Sequence, residues 1–157
     1  MIRALFPLVL LAAPALAQDL PEEWAVNPLV IEQCLATGFT EACIGFMAGL
    51  CEAAQGPGSE GLCRGAETAY WQRRVDAATA QLQGGEGEVQ SRARRLGWPE
   101  PIPTLDAIAQ GFEAYRAAAC DWRAAAWDGI HAGYEQQDCL MRLTAGHALL
   151  LEEMLDD

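Results

Sequence analysis

The chain has 157 residues, and its 22 acidic against 10 basic side chains give a formal charge of −12 with no lysine at all. So acidic a body lacks the cationic footprint that phosphate backbones require, which excludes a nucleic-acid binder and fits a protein that draws in cationic partners. The length allows one domain around one core.

Residues 1–17 read as a secretory signal peptide rather than as fold. Arg3 supplies the positive start, Leu5 to Leu16 the apolar stretch, and Ala15-Leu16-Ala17 the small-residue cleavage site before Gln18. The apolar run is too short to span a bilayer, and no cysteine near the cut offers a lipid anchor. Loss of Arg3 with this segment takes the formal charge from −12 to −13. Residues 18–28 are polar and proline-bearing, a mobile lead-in to a single domain over 29–157.

Six cysteines follow: Cys34, Cys43, Cys51, Cys63, Cys120 and Cys139. Behind an export signal an even count reads as three disulfides, and six cysteines allow 15 pairings. The sequential pairing, 34–43, 51–63 and 120–139, is preferred because each pair straddles a turn signal nearly symmetrically. No C-x-x-C is present, so neither a thioredoxin-type redox site nor a zinc site has its spacing.

In chain order, a short helix is expected over Leu29 to Ala36. Gly38 breaks it, and Thr40 is placed to cap a small apolar helix over 41–54. Gly56-Pro57-Gly58 stops that helix. Ser59 is expected to cap a longer one over 60–82, with Glu60 near its positive end. Gly84, Gly85 and Gly87 are expected to end it. A short helix bearing Arg92, Arg94 and Arg95 follows, then the stiff Trp98-Pro99-Glu100-Pro101-Ile102-Pro103 segment, so 83–103 reads as a linker.

The last third organises the chain. After a Thr104 cap, Leu105, Ile108, Phe112, Tyr115, Ala119, Trp122 and Ala126 recur at alternating intervals of three and four. Leu140, Leu143, His147, Leu150 and Met154 do the same. Each series predicts one apolar stripe on one helix. Gly129 and Gly133 are expected to turn the chain between them, which would set Cys120 against Cys139. No stretch alternates like a strand. The fold expected is all-α, a disulfide-stapled bundle of helical hairpins.

The run Ala109-Gln110-x-Phe112-x-x-Tyr115-Arg116-x-x-x-Cys120, a glycine-containing turn and Cys139-Leu140-x-x-Leu143-Thr144 resemble the LprI-type lysozyme-inhibitor family. Cys34 to Cys63, followed by Glu67 and Tyr70-Trp71, resembles the cysteine-rich front half of some members. The resemblance covers roughly 34–82 and 104–155, and it implies that the linker over 83–103 is an inserted one. Phe112 stands where the family has tryptophan and His147 where it has arginine. Val75-Asp76-Ala77-Ala78-Thr79 replaces its L-N-x-x-Y. The resemblance implies a small helical protein of the bacterial envelope and brings no catalytic residues with it.

The candidate chemistry is sparse. His147 lies on an apolar stripe without a partner of matched spacing and reads as a core or boundary histidine. His131 has Asp128, Tyr134 and Asp138 nearby, too few converging ligands for a metal. Ser59 and Ser91, the only serines, sit in no G-x-S-x-G. No catalytic residue, metal ligand or cofactor is assigned. The 129–135 turn is expected to be an exposed loop that presents side chains to a partner. Trp127, His131 and Tyr134 are its candidate contact residues. Arg116 is a fourth, although pairing with an acid of a neighbouring helix suits it better. The function expected is a secreted or periplasmic binding protein that inhibits a cationic lysozyme by steered binding and cleft blocking. The alternative is a structural or accessory envelope protein that binds another partner. An envelope hydrolase lacks a constellation of residues.

Overall fold

A computed structural model describes residues 27–38, 40–99 and 101–156. The expected signal segment, and most of the lead-in, lie outside the described residues. Those described form five α-helices and one 3-10 turn, with no strand among them: α1 (Pro28–Leu35), the 3-10 turn (Thr40–Cys43), α2 (Phe46–Gln55), α3 (Glu60–Arg95), α4 (Leu105–Ala125) and α5 (Ile130–Asp156). The disulfides are the sequential ones: Cys34–Cys43 ties α1 to the 3-10 turn, Cys51–Cys63 ties α2 to α3, and Cys120–Cys139 ties α4 to α5.

α1 starts as its sequence dictates, with Pro28 in the first turn and the Asn27 side chain accepting from the Leu29 N–H. The next helix does not start at Thr40. Gly45, at φ 86°, breaks the chain, and α2 begins one residue later. The true cap comes from α3. Glu67, fully buried, accepts the Gly45 and Ala48 N–H groups at 2.7 Å each and the Trp71 indole N–H at 3.0 Å. A carboxylate at that end satisfies orphan donors and meets the positive end of the helix dipole. Ser59 does not cap α3 with its side chain either; its hydroxyl donates to the Gly56 carbonyl at 2.7 Å.

α3 does not stop at Gly84, Gly85 and Gly87. It runs 36 residues to Arg95, about 54 Å. The three glycines weaken it by about 1 kcal/mol each, and contacts with the start of α4 offset this. Glu86 accepts the Leu105 N–H at 3.2 Å, Gln83 donates to Asp106 at 3.2 Å, and Gln90 donates to the Ile102 carbonyl at 3.5 Å. The real stop is Gly97, at φ 70°: its N–H reaches the Arg94 carbonyl and the Trp98 N–H reaches that of Ala93. This is a Schellman ending, with Pro99 just beyond it. The linker expected over 83–103 is therefore narrower, because its first thirteen residues are helix.

α4 opens on Thr104, whose hydroxyl accepts the Ala107 N–H at 3.1 Å, and lies antiparallel between the ends of α3 and α5. α3 and α5 run parallel, since Arg64 pairs with Asp138 and Arg74 with Glu152 further along both. The core fills the space between α1, α2, the first half of α3 and α5, around Trp71, Ile31, Met47, Met141, Ala145 and Leu151. Tyr70 and Arg74 lock it laterally. The guanidinium grips Glu152 through two bonds of 2.6 and 2.8 Å and donates to the Tyr70 hydroxyl, which donates to Glu32.

The apolar stripes are rotated from those expected. α4 turns Leu105, Ala109, Phe112, Arg116, Ala119 and Cys120 inward and leaves Ile108, Tyr115 and Trp122 outside. α5 serves two neighbours at once. Met141, Ala145, Ala148 and Leu151 enter the core, Thr144 and His147 meet α4, and Leu150 and Met154 stay exposed. A single stripe cannot describe a helix covered on two sides.

Candidate partner-binding end of the helical hairpin

Only Gly129 makes the turn between α4 and α5, at φ 60°; Gly133 lies inside α5. The expected 129–135 loop is thus a short turn followed by the first turns of a helix. Trp127 and Ile130 are exposed on it, and Ile130 is 89% accessible. His131 follows on the same end, its ring 6.2 Å from that of Trp127.

Tyr134 is held more tightly than a loop residue would be. The Arg64 guanidinium lies 3.5 Å over its ring, donates to its backbone carbonyl at 3.4 Å, and pairs with Glu52 at 3.0 Å and Asp138 at 3.7 Å. Asp138 also meets Arg142 at 2.9 Å and Arg123 at 3.7 Å, and Arg123 reaches Glu135 at 2.7 Å. This lattice joins α2, α3, α4 and α5 one to two turns below the Trp127 end. With the Cys120–Cys139 bridge it makes that end rigid.

Between this end and the α2–α3 turn lies an open cleft of about 790 Å³, walled by Gly58, Glu60 and Gly61 on one side and by Trp127, His131 and Tyr134 on the other. The structure therefore brings three of the four expected contact residues into one cleft. The opposite wall was not expected, because nothing in the local sequence around Gly58 to Gly61 signals a partner far along the chain. The cleft combines a half-exposed indole with Glu60 and Glu135. The two arginines beside it, Arg64 and Arg123, are already paired with carboxylates.

Arg116 is not part of this cleft. It sits where three helices meet, donating to Gln72 of α3 at 3.0 Å, to Thr144 of α5 at 2.8 Å and to Glu113 of its own helix at 2.5 Å. Thr144 lies ten residues beyond Tyr134 on α5, about 15 Å along the axis. The paired acid is on α4 itself, and the neighbouring helices supply neutral acceptors. Below Arg116, Phe112 and His147 stack at 3.8 Å between ring centres, 16° from parallel. Burial lowers the His147 pKa from its ordinary value and Arg116 lowers it further, while Glu113 raises it. His147 is thus a boundary residue on the α4 side of α5, as its apolar setting suggests.

Among the described residues no group of three His, Cys, Asp or Glu side chains is placed to hold a metal, and no helix is long and apolar enough to cross a membrane. Three disulfides accord with an oxidising, secreted or periplasmic setting. The fold is that of a small, disulfide-stapled, all-helical protein. Residues 51–151 match the profile described as lysozyme inhibitor LprI, and the chain belongs to that family. The match takes in two of the three disulfides, all of α4 and α5 as far as Leu151. No curated protein and no solved structure matches the chain.

Proposed function

We propose that this protein is an exported inhibitor that binds a cationic lysozyme through the Trp127 end of its α4–α5 hairpin. One observation supports the placement: Trp127, His131 and Tyr134 share an open cleft at a disulfide-braced end of the bundle, and the arginines beside it are already paired with carboxylates. Family membership supports the choice of target. The formal charge of −13 left after loss of Arg3 supports electrostatic steering toward a basic enzyme. Because the contact surface is helix and tight turn, little ordering entropy is lost on binding. Tryptophan supplies the anchor, as buried aromatic side chains do at interface centres. Export would leave a mature chain starting at Gln18, read by intact mass.

The test is a muramidase titration at low salt with several lysozyme classes. Loss of activity that saturates at one inhibitor per enzyme supports inhibition. Trp127→Ala should weaken it by a factor of ten or more, since central aromatic anchors are commonly worth 2 kcal/mol or above. Activity unchanged at micromolar protein against every class rejects the reading.

A further inference from the structure

Between α3, α4 and α5 lies an open cavity of about 340 Å³, at the small end of the roughly 300–1,000 Å³ of ligand sites. Its apolar lining comes from Val75 and Ala80 of α3 and from Ala109 and Phe112 of α4. Asp76 stands on the α3 side, Glu113 on the α4 side and His147 on α5. His147 lies 13 residues beyond Tyr134 on the same helix, about 20 Å along its axis, so this cavity is separate from the Trp127 cleft.

His147 is nine-tenths buried, yet its ring makes no hydrogen bond to any described residue. One face of the ring is covered by the stack with Phe112. No fully buried side-chain nitrogen or oxygen among the described residues lacks a partner. The ring nitrogens are therefore not sealed in, and the cavity that His147 lines is their opening. A buried polar side chain costs free energy unless something in its cavity bonds it. The neighbouring polar groups are also unspent, on the acceptor side. Asp76 uses Oδ1 for the Gln72 amide and Glu113 uses Oε2 for Arg116, which leaves Oδ2 and Oε1 without a donor among the described residues. No arginine lines the cavity. Burial, with Arg116 close by, holds His147 below its ordinary pKa, so its ring is neutral near pH 7 and one of its nitrogens is an acceptor.

We propose that this cavity binds a small organic cation, a flat amidinium or guanidinium with a compact apolar body. Its N–H groups donate to Asp76, Glu113 and the His147 ring, and its body packs on Val75, Ala109 and Phe112. Two carboxylates and no cation in the lining favour a cation over an anion. A metal ion lacks its ligand set, since no three His, Cys, Asp or Glu side chains converge among the described residues. The acceptors come from three helices. A planar fork with N–H groups on several sides serves them together better than the point charge of an ammonium does.

Mature wild-type protein titrated with benzamidine, followed by amide and histidine NMR shifts, tests the proposal. Benzamide is the neutral probe of the same shape. The expected result is saturation near 1 mM, on the order of a fragment-sized ligand, with the largest shifts at Val75, Asp76, Ala109 and Phe112. Benzamide should bind about tenfold more weakly or worse, because it brings no charge to the carboxylates. Asp76→Asn, a change at an exposed helix position, should weaken benzamidine about fivefold or more, and its own spectrum reports that the fold is kept. The wild type gives a further readout without any substitution. The charged groups around His147 are Asp76 of α3 and Glu113 and Arg116 of α4. A bound cation adds a positive charge beside the ring, so saturation with benzamidine should lower the His147 pKa further, and affinity should fall as pH drops through it. His131, the only other histidine in the chain, should titrate unchanged. No saturation up to about 20 mM benzamidine overturns the proposal. So does benzamide binding as tightly as benzamidine, affinity unaltered by Asp76→Asn, shifts centred away from the cavity, or a His147 pKa that does not move.

Discussion

Replacing Glu67 with glutamine changes one atom type in the interior and should unfasten α2. The side chain is fully buried and its two oxygens serve three donors: Oε1 takes the Gly45 N–H and the Trp71 indole, and Oε2 takes the Ala48 N–H. Glutamine can keep one oxygen in place. Its amide nitrogen then faces a donor, so at least one buried N–H loses its acceptor, at about 1–3 kcal/mol. The bonds that survive drop from charge-assisted to neutral strength, a further loss of about 1 kcal/mol. The expected destabilisation is therefore about 2–4 kcal/mol, a large share of the 5–15 kcal/mol typical of a domain. Urea denaturation of wild type and Glu67→Gln reads the total. Amide hydrogen exchange reads the place: protection at Gly45 and Ala48 should fall first, because local opening follows the weakest fastening. A stability change below about 0.5 kcal/mol, with exchange at those two amides unaltered, would refute the reasoning, since leaving a buried donor without its acceptor is among the changes that destabilise proteins most.

The other expectations are simpler. Replacing Cys120 and Cys139 together with serine opens a loop with a sequence separation of 19 and should cost about 2–5 kcal/mol; an unchanged thermal melt would show that the helices hold the hairpin alone. Gly45→Ala forces a side chain onto φ 86° and brings its Cβ to 3.2 Å from the flexible end of Met141, so urea denaturation should show a loss of about 1–2 kcal/mol. His147 titrates lower in the folded chain than its ordinary value, chiefly through burial. The unfolded chain therefore takes up the proton first as pH falls, and the stability His147 contributes is full above about pH 6.5. It is lost as pH falls below that value and levels off below the folded pKa. His147→Phe should flatten this part of the stability–pH curve, and an identical slope in the variant would remove His147 as the cause.

The cysteine pairing, the α4–α5 hairpin and the Thr104 cap were all legible, because each rests on local chemistry that one sequence displays. The phase of α4 was not. With alanine at so many of its positions, the few large residues set the apparent stripe, and three of them, Ile108, Tyr115 and Trp122, face outward. The length of α3 was misread at Gly84, Gly85 and Gly87 because the contacts that sustain it come from residues 102–106, across the turn. The helix start at Gly45 depends on Glu67, 22 positions away, and the only local hint is the four-residue step from that acid to Trp71. The candidate site was half legible. Trp127, His131 and Tyr134, singled out from an expected exposed turn, do line one cleft, while Arg116 belongs to the junction of three helices and the Gly58–Gly61 wall comes from a distant turn.

The central claim, that the Trp127 end grips a cationic lysozyme, is tested most directly by binding kinetics on the immobilised mature protein, wild type beside Trp127→Ala, over a range of salt. The account predicts association that slows with salt to the same degree in both, because steering belongs to the whole acidic surface. It also predicts dissociation at least ten times faster in the variant, because an anchor acts on the off-rate. Binding with identical off-rates in the two proteins, or no binding of any lysozyme at low salt, would contradict it.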